Sequence, residues 1–315
     1  MKWKLGLLGL AVAGLAAALV GLAGSDASSW EQLPAPPLSP RENPVGFWTG
    51  EEVVLVGGSD EDPCPPNASC AVSDVPPLGD GAAYNRRTKT WRPIADPPIA
   101  FSWAVPFVFE STAYLWVLGD TGRPQAPSGF LAYRFEDGSW DELSLPTDQD
   151  PNAYMFLALE DKLVAWNWGD DEKEIPDFVF DVGSETWAQL PDDPFSPGYD
   201  REMRWVDGEL VLFDHDLEDV SEDAPLRAAA YDLAGGEWRI LDDPEAAWER
   251  AEPMAEEGLG RPEFKPLGSS DWDGTQVAAG SGRLLFVGVT WEQGSQPGEF
   301  VGTLHSEAFW SSEIE

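Results

Sequence analysis

The chain has 315 residues, 57 of them acidic and 19 basic, with two histidines and two cysteines, giving a formal charge of −38 at pH 7. A protein that tracks phosphates needs a basic patch to release counterions, so nucleic acid is excluded as a partner, and anionic lipid surfaces are disfavoured on the same grounds. At 43% hydrophobic, with 31 Gly, 28 Pro and 16 Trp, the chain is turn-rich and aromatic-rich, which marks a folded core and not an acidic tail.

Lys2 and Lys4 precede an uncharged run from Leu5 to Ala23, followed by Gly24-Ser25-Asp26. This is the layout of an export signal, with small residues suited to cleavage after Ala27 or Ala23, while the apolar length approaches the roughly 20 residues that span a bilayer. Residues 1–27 therefore read as a cleaved signal peptide or a retained membrane anchor, and residues 28–315 as one extracytoplasmic domain, secreted or anchored by that segment. Only this N-terminal segment would contact a membrane. In an oxidising compartment Cys64 and Cys70 close one small disulfide loop.

An aromatic residue is followed seven positions later by Trp four times: Tyr84/Trp91, Tyr133/Trp140, Phe180/Trp187 and Tyr231/Trp238. The Trp-to-Trp intervals are 49, 47 and 51, and the residues between each pair are turn formers, so each pair reads as strand, hairpin, strand. A second hairpin lies upstream in each unit, where a small turn leads into a β-rich run such as Val53–Val56, Tyr114–Leu118, Leu163–Trp166, Leu210–Phe213 or Leu284–Val287. Each unit supplies four short strands, too few to bury two faces alone, so the units stack side by side as the blades of an all-β propeller.

Five units are visible, so five four-stranded blades are favoured; six is the alternative, because the irregular insertion at 244–272 has room to hide part of another. Within it, Pro244–Glu257 has helix-forming composition interrupted by Pro253, which reads as a short surface helix followed by a loop. Phe309 calls for a Trp at position 316, past the last residue, while an orphan Trp30-Glu31-Gln32-Leu33 begins the domain. The N-terminal strand is therefore expected to complete the last blade and close the ring, removing exposed sheet edges.

Strand-Gly-Gly, as at Gly57-Gly58, followed by an aromatic residue and a Trp seven positions on at about fifty-residue spacing, resembles the kelch repeat of galactose-oxidase-type propellers. Later units carry Gly119-Asp120, Trp168-Gly169 and His215-Asp216 in place of the two glycines, so the repeats diverge from that pattern. The resemblance implies a kelch-like binding module without chemistry of its own, a monomer that recognises a protein or glycan through its loop-rich face. The alternative it implies is an extracellular carbohydrate-active enzyme, a sugar epimerase or glycosidase, with a pocket in the central channel.

A copper site of the galactose-oxidase kind requires two histidines plus tyrosines, one cross-linked to cysteine, and both cysteines here are committed to one loop, so copper is excluded. No catalytic residue is assigned and no cofactor is required. Acidic residues after the second strand of several blades, Asp60, Asp62, Asp170, Asp171, Asp214 and Asp216, are candidates for Ca²⁺, a cation that takes six to eight oxygens; the alternative is a solvated acidic surface. For ligand contact, the segments that lead into the first strands offer Trp103 and Tyr154 as stacking platforms and Arg41 and Arg201 as anionic anchors. The aromatic-to-Trp pairs themselves are assigned to packing.

Overall fold

The structure is a computed structural model that describes residues 30–70, 74–119, 127–148, 150–168, 175–196, 201–215, 225–251, 271–296 and 298–312. After β1 (Glu31–Gln32), the first repeat forms β2 (Val45–Trp48), β3 (Glu52–Val56), β4 (Gly81–Asn85) and β5 (Thr90–Pro93). The second forms β6 (Ala104–Phe109), β7 (Thr112–Val117), β8 (Gly129–Arg134) and β9 (Trp140–Leu143), and the third β10 (Tyr154–Ala158), β11 (Lys162–Asn167), β12 (Phe178–Asp181) and β13 (Thr186–Gln189). The fourth forms β14 (Glu202–Val206), β15 (Glu209–His215), β16 (Leu226–Tyr231) and β17 (Arg239–Ile240), and the fifth β18 (Asp271–Ala279), β19 (Gly282–Gln293) and β20 (Phe300–Ser311).

The result is five four-stranded antiparallel sheets, each strand paired with its sequence neighbour, and the fifth sheet is completed by β1 in the order β1-β20-β19-β18. Glu31 pairs with Trp310 and Gln32 with Phe309, and the Leu33 amide donates to the Ala308 carbonyl at 2.9 Å. The orphan N-terminal segment thus takes the place of the missing fourth strand, as its sequence predicts. One short helix, α1 (Pro244–Glu249), starts the insertion; Asp243 caps it by accepting from the Ala246 amide at 3.0 Å. Residues 252–270 lie outside the described residues, and β18 begins at Asp271.

Why these inner strands are unbroken apolar runs follows from the packing: Val53–Val56 and Tyr114–Val117 are buried on both sides, because the first and second sheets each have another sheet packed against either face. One core cluster joins the first and second sheets through Val54, Val56, Leu115 and Leu131. Others join the fifth to the first through Leu55, Tyr84, Leu284 and Phe286, the second to the third through Trp116, Phe130, Leu163 and Phe180, and the third to the fourth through Val164, Trp166, Leu210 and Leu212. The remaining face of the fourth sheet packs α1, with Trp248 edge-on to Phe213 at 5.0 Å, and that of the fifth packs Trp30 against Phe309 and Leu285. No cluster among the described residues joins the fourth and fifth sheets directly.

The repeating aromatic pairs are cross-strand neighbours. Tyr84 faces Trp91, Tyr133 faces Trp140 and Phe180 faces Trp187, with ring centroids 4.8–5.0 Å apart, and Tyr231 and Trp238 lie 5.1 Å apart. Three of the tryptophans also tie their hairpins to an earlier segment of the chain: Trp91, Trp140 and Trp238 donate their indole N–H to the carbonyls of Pro34, Ala95 and Pro191 at 2.8–2.9 Å. Two residues before three of these tryptophans the chain turns through the left-handed region, at Lys89 (φ 55°), Gly138 (72°) and Glu185 (52°).

Candidate functional site

Because β2 and β3 pair Val45 with Val56, the approach to each first strand and the exit from each second strand meet at one end of the sheets. Among the described residues of the five segments that join second to third strands at that end, within 57–80, 118–128, 168–177, 216–225 and 294–299, there are 7 acidic residues and no basic ones. Arg41, Trp103, Tyr154 and Arg201 all lie at this end, since each leads into or begins a first strand. They do different things there.

Arg41 is fully buried. Its guanidinium donates to both Asp80 carboxylate oxygens, at 2.7 and 3.0 Å, and to the Gly57 carbonyl, the Ser39 carbonyl and Ser39 Oγ. This grip holds the Asp80 carboxyl below its ordinary range. Arg201 is buried as well, with Nη2 at 2.6 Å from Asp177 and 2.8 Å from Asp193, and Nη1 donating to the Asn167 carbonyl. The expectation of two solvent-facing anionic anchors is corrected accordingly: in loops this acidic, an arginine that leads into a strand is drawn inward by the nearest carboxylates and becomes an internal tie.

Tyr154 is also buried, and its hydroxyl donates to the Pro176 carbonyl at 3.3 Å; burial, with Asp177 nearby, pushes its pKa up to about 12. It packs against Trp116 and Phe178 and is no stacking platform. Trp103, by contrast, is 61% exposed, with its carbonyl held by the Leu118 amide. Sequence reading overlooked its counterpart Trp168, 42% exposed at the exit of β11, whose carbonyl accepts from the Arg201 amide.

Of the calcium candidates, Asp60 and Asp62 are exposed on the 57–80 loop. Asp214 is buried on β15 and bound to Arg227 at 3.2 Å; burial raises its pKa, and its Oδ1 accepts no hydrogen bond. That corrects its placement on an open carboxylate rim. Asp170, Asp171 and Asp216 lie outside the described residues, and among the described ones no group of three or more Asp, Glu, His or Cys is arranged to hold a metal ion.

Cys64 and Cys70 form the expected disulfide. Their loop reaches the fifth sheet, where Asn67 Nδ2 donates to the Gly298 carbonyl at 2.7 Å. Beside it Glu42 is half-buried and its pKa is raised, first by burial and then by the negative charges of Glu61 and Asp273. Glu42 and Ser59 exchange backbone hydrogen bonds, which fixes this carboxylate at the same end as Trp103. The partners Asp80, Asp177, Asp193 and Arg227 were also overlooked in the sequence; the available signal was that a lone arginine among so many acids must be neutralised.

No protein-family model matches the chain, and no curated protein matches its sequence significantly.

Proposed function

We propose that the protein is a kelch-like, extracytoplasmic binding module that recognises a protein or glycan through the end of the sheets carrying Trp103 and Trp168, and that it does so as a monomer. The observation that carries this reading is the exposure of Trp103 on a chain that buries most of its large aromatics. Exposed tryptophans on a loop-bearing rim are a recurrent way to build an interface anchor, since a rigid ring supplies contact area at little entropic cost.

The partner's chemistry follows from the charges. At this end Arg41, Arg201 and Arg227 are each held by an aspartate of the chain itself, while the intervening loops are acidic. Such a surface repels sialylated or otherwise anionic glycans and favours a neutral sugar or, better, a basic polypeptide segment whose arginines stack on the indoles.

Immobilised full chain tested against Arg-rich and Glu-rich peptides and a panel of neutral and anionic glycans will check it. The expected result is binding of the basic peptides that weakens at least tenfold when Trp103 and Trp168 are both changed to Ala, with an unchanged melting temperature. Binding that ignores the double substitution overturns the assignment to this face, and selective binding of neutral glycans redirects it to sugars.

A further inference from the structure

At the opposite end of the fifth sheet, beside the turn between β18 and β19, lies a group that the loop-bearing face does not use. Arg283 is 2% exposed, and neither Nε nor Nη2 has a hydrogen-bond partner. It is the exception among the described arginines that are buried or half-buried. The buried or half-buried arginines 41, 201, 204 and 227 are each paired with a carboxylate, and acidic residues outnumber basic ones three to one. Burying a guanidinium away from any carboxylate is costly, because its hydration is lost without an opposing charge to replace it.

The two donors concerned form one edge of the guanidinium. With the same edge Arg92 grips Glu52, Nε and Nη2 both meeting Oε2, at 3.1 and 2.6 Å. Two parallel N–H groups on that edge match the two oxygens of a carboxylate. The surroundings are specific as well. The Arg283 guanidinium carbon stands 5.2 Å from the centre of the Trp30 ring, so one flat face is covered by an indole. Strand alternation puts Arg283 on the side of Leu285, Val287 and Phe309, which form an apolar wall.

On the same side, Gln276 pairs with Leu285, and Ala278 pairs with Arg283, so Gln276 is the diagonal neighbour of Arg283 at about 7 Å. Its Oε1 is buried and accepts no hydrogen bond. A pair of donors and a single acceptor on the same side of the sheet, against an apolar wall, suit a small molecule with an anionic fork and a donor next to it.

We propose that Arg283, Gln276 and Trp30 form a binding site for a small organic carboxylate bearing a hydroxyl or amine, such as a 2-hydroxy acid. The carboxylate lies across Nε and Nη2 of Arg283, and the hydroxyl donates to Gln276 Oε1. Because the donor atoms are shielded, the ligand enters as this side of the sheet opens, and association is slower than diffusion.

The test is thermal shift and calorimetric titration of the full chain with glycolate, acetate and the neutral glycolamide at constant ionic strength. Glycolate at a hundredfold excess over its Kd is expected to raise Tm by about 5 °C, acetate less, and glycolamide not at all. Gln276→Leu should weaken glycolate about tenfold and leave acetate unchanged, and Arg283→Met should abolish both effects. If Arg283→Met does not fold, the acid-against-amide comparison and the Gln276→Leu split decide on their own. No shift above the chloride control, an equal shift from glycolate and glycolamide, or an Arg283→Met protein that is more stable and as responsive as the parent would each overturn the site.

Discussion

Arg201, the residue before the first strand of the fourth sheet, meets Asp177, the residue before the third strand of the third sheet, at 2.6 Å with both side chains more than nine-tenths buried. The pair welds two successive repeats at the end where their loops emerge, and Asp193 adds a second carboxylate at 2.8 Å. Removing one partner of a buried pair leaves the other charge stranded. Asp177→Ala is therefore expected to cost about 3–5 kcal/mol, and Arg201→Met a similar amount because two aspartates are then left facing one another. Urea titration of the two variants checks this; a loss below about 1 kcal/mol for both would show that water reaches the pair.

Why this pair escaped sequence reading, when the sheets did not, is a matter of range. The aromatic-to-Trp spacing is a local signal: seven residues carry both members of a cross-strand pair and the turn between them, so Tyr84/Trp91 and Tyr133/Trp140 declare a hairpin without knowledge of anything distant. The place of Trp30–Leu33 was also legible, because a missing strand at one end of the chain and an orphan strand at the other admit one solution. Which acid neutralises Arg41 or Arg201 is different, since Asp80 lies 39 residues from Arg41 and Asp177 lies 24 from Arg201, in loops crowded with equivalent carboxylates. Trp168 was overlooked for a different reason: the repeat pattern places it at the exit of the second strand, where the first unit has Gly57, but does not say whether a ring at that position turns inward or outward.

The pH dependence of stability should show two opposing limbs. Asp214 and Glu42 have pKa values raised by burial above their ordinary 3.8 and 4.5, so the folded form binds protons more tightly than the unfolded form, and stability rises as pH falls through the window above those ordinary values. Relief of repulsion within a chain of charge −38 acts in the same direction. Asp80, held down by Arg41, Glu185, held down by Arg134, and Asp181, lowered to about 2 by its bonds from Ser184, behave oppositely: their contribution is complete above the unfolded pKa and is lost as pH falls through the folded one. Chemical denaturation between pH 3 and 8 is expected to give a maximum near about pH 5, with losses below about pH 4. A monotonic rise toward pH 8 would mean that the buried carboxyls contribute nothing measurable.

Deleting residues 1–33 removes β1 and strips β20 of its outer partner. Two strand residues bring few hydrogen bonds, but Leu33 is buried among Leu55, Tyr84 and Trp310, and Trp30 covers Phe309. The deletion leaves a twelve-residue strand with an open edge, the arrangement that templates pairing between chains. The truncated protein is expected to aggregate, measured by light scattering, whereas a chain beginning at residue 28 should remain dispersed. A dispersed, cooperatively unfolding truncation would show that β1 is dispensable.

The repeat tryptophans permit an internal comparison. Trp140 packs on Tyr133 at 4.8 Å and its indole N–H is bonded to Ala95; Trp187 packs on Phe180 at 5.0 Å, but its Nε1 is buried without a partner. Replacing either by Phe keeps an aromatic ring on the same cross-strand neighbour and removes the N–H. At Trp140 that change loses a hydrogen bond and strands a carbonyl, for a cost of about 1–2 kcal/mol beyond the smaller ring. At Trp187 it removes a polar atom that pays a desolvation penalty with nothing in return, so the lost ring area is offset and the net change is expected near zero. Denaturant midpoints of Trp140→Phe and Trp187→Phe measure the difference. If the two cost the same, the tie between each hairpin and the preceding segment adds nothing to stability, and ring packing alone accounts for the tryptophan in the four repeats that carry it.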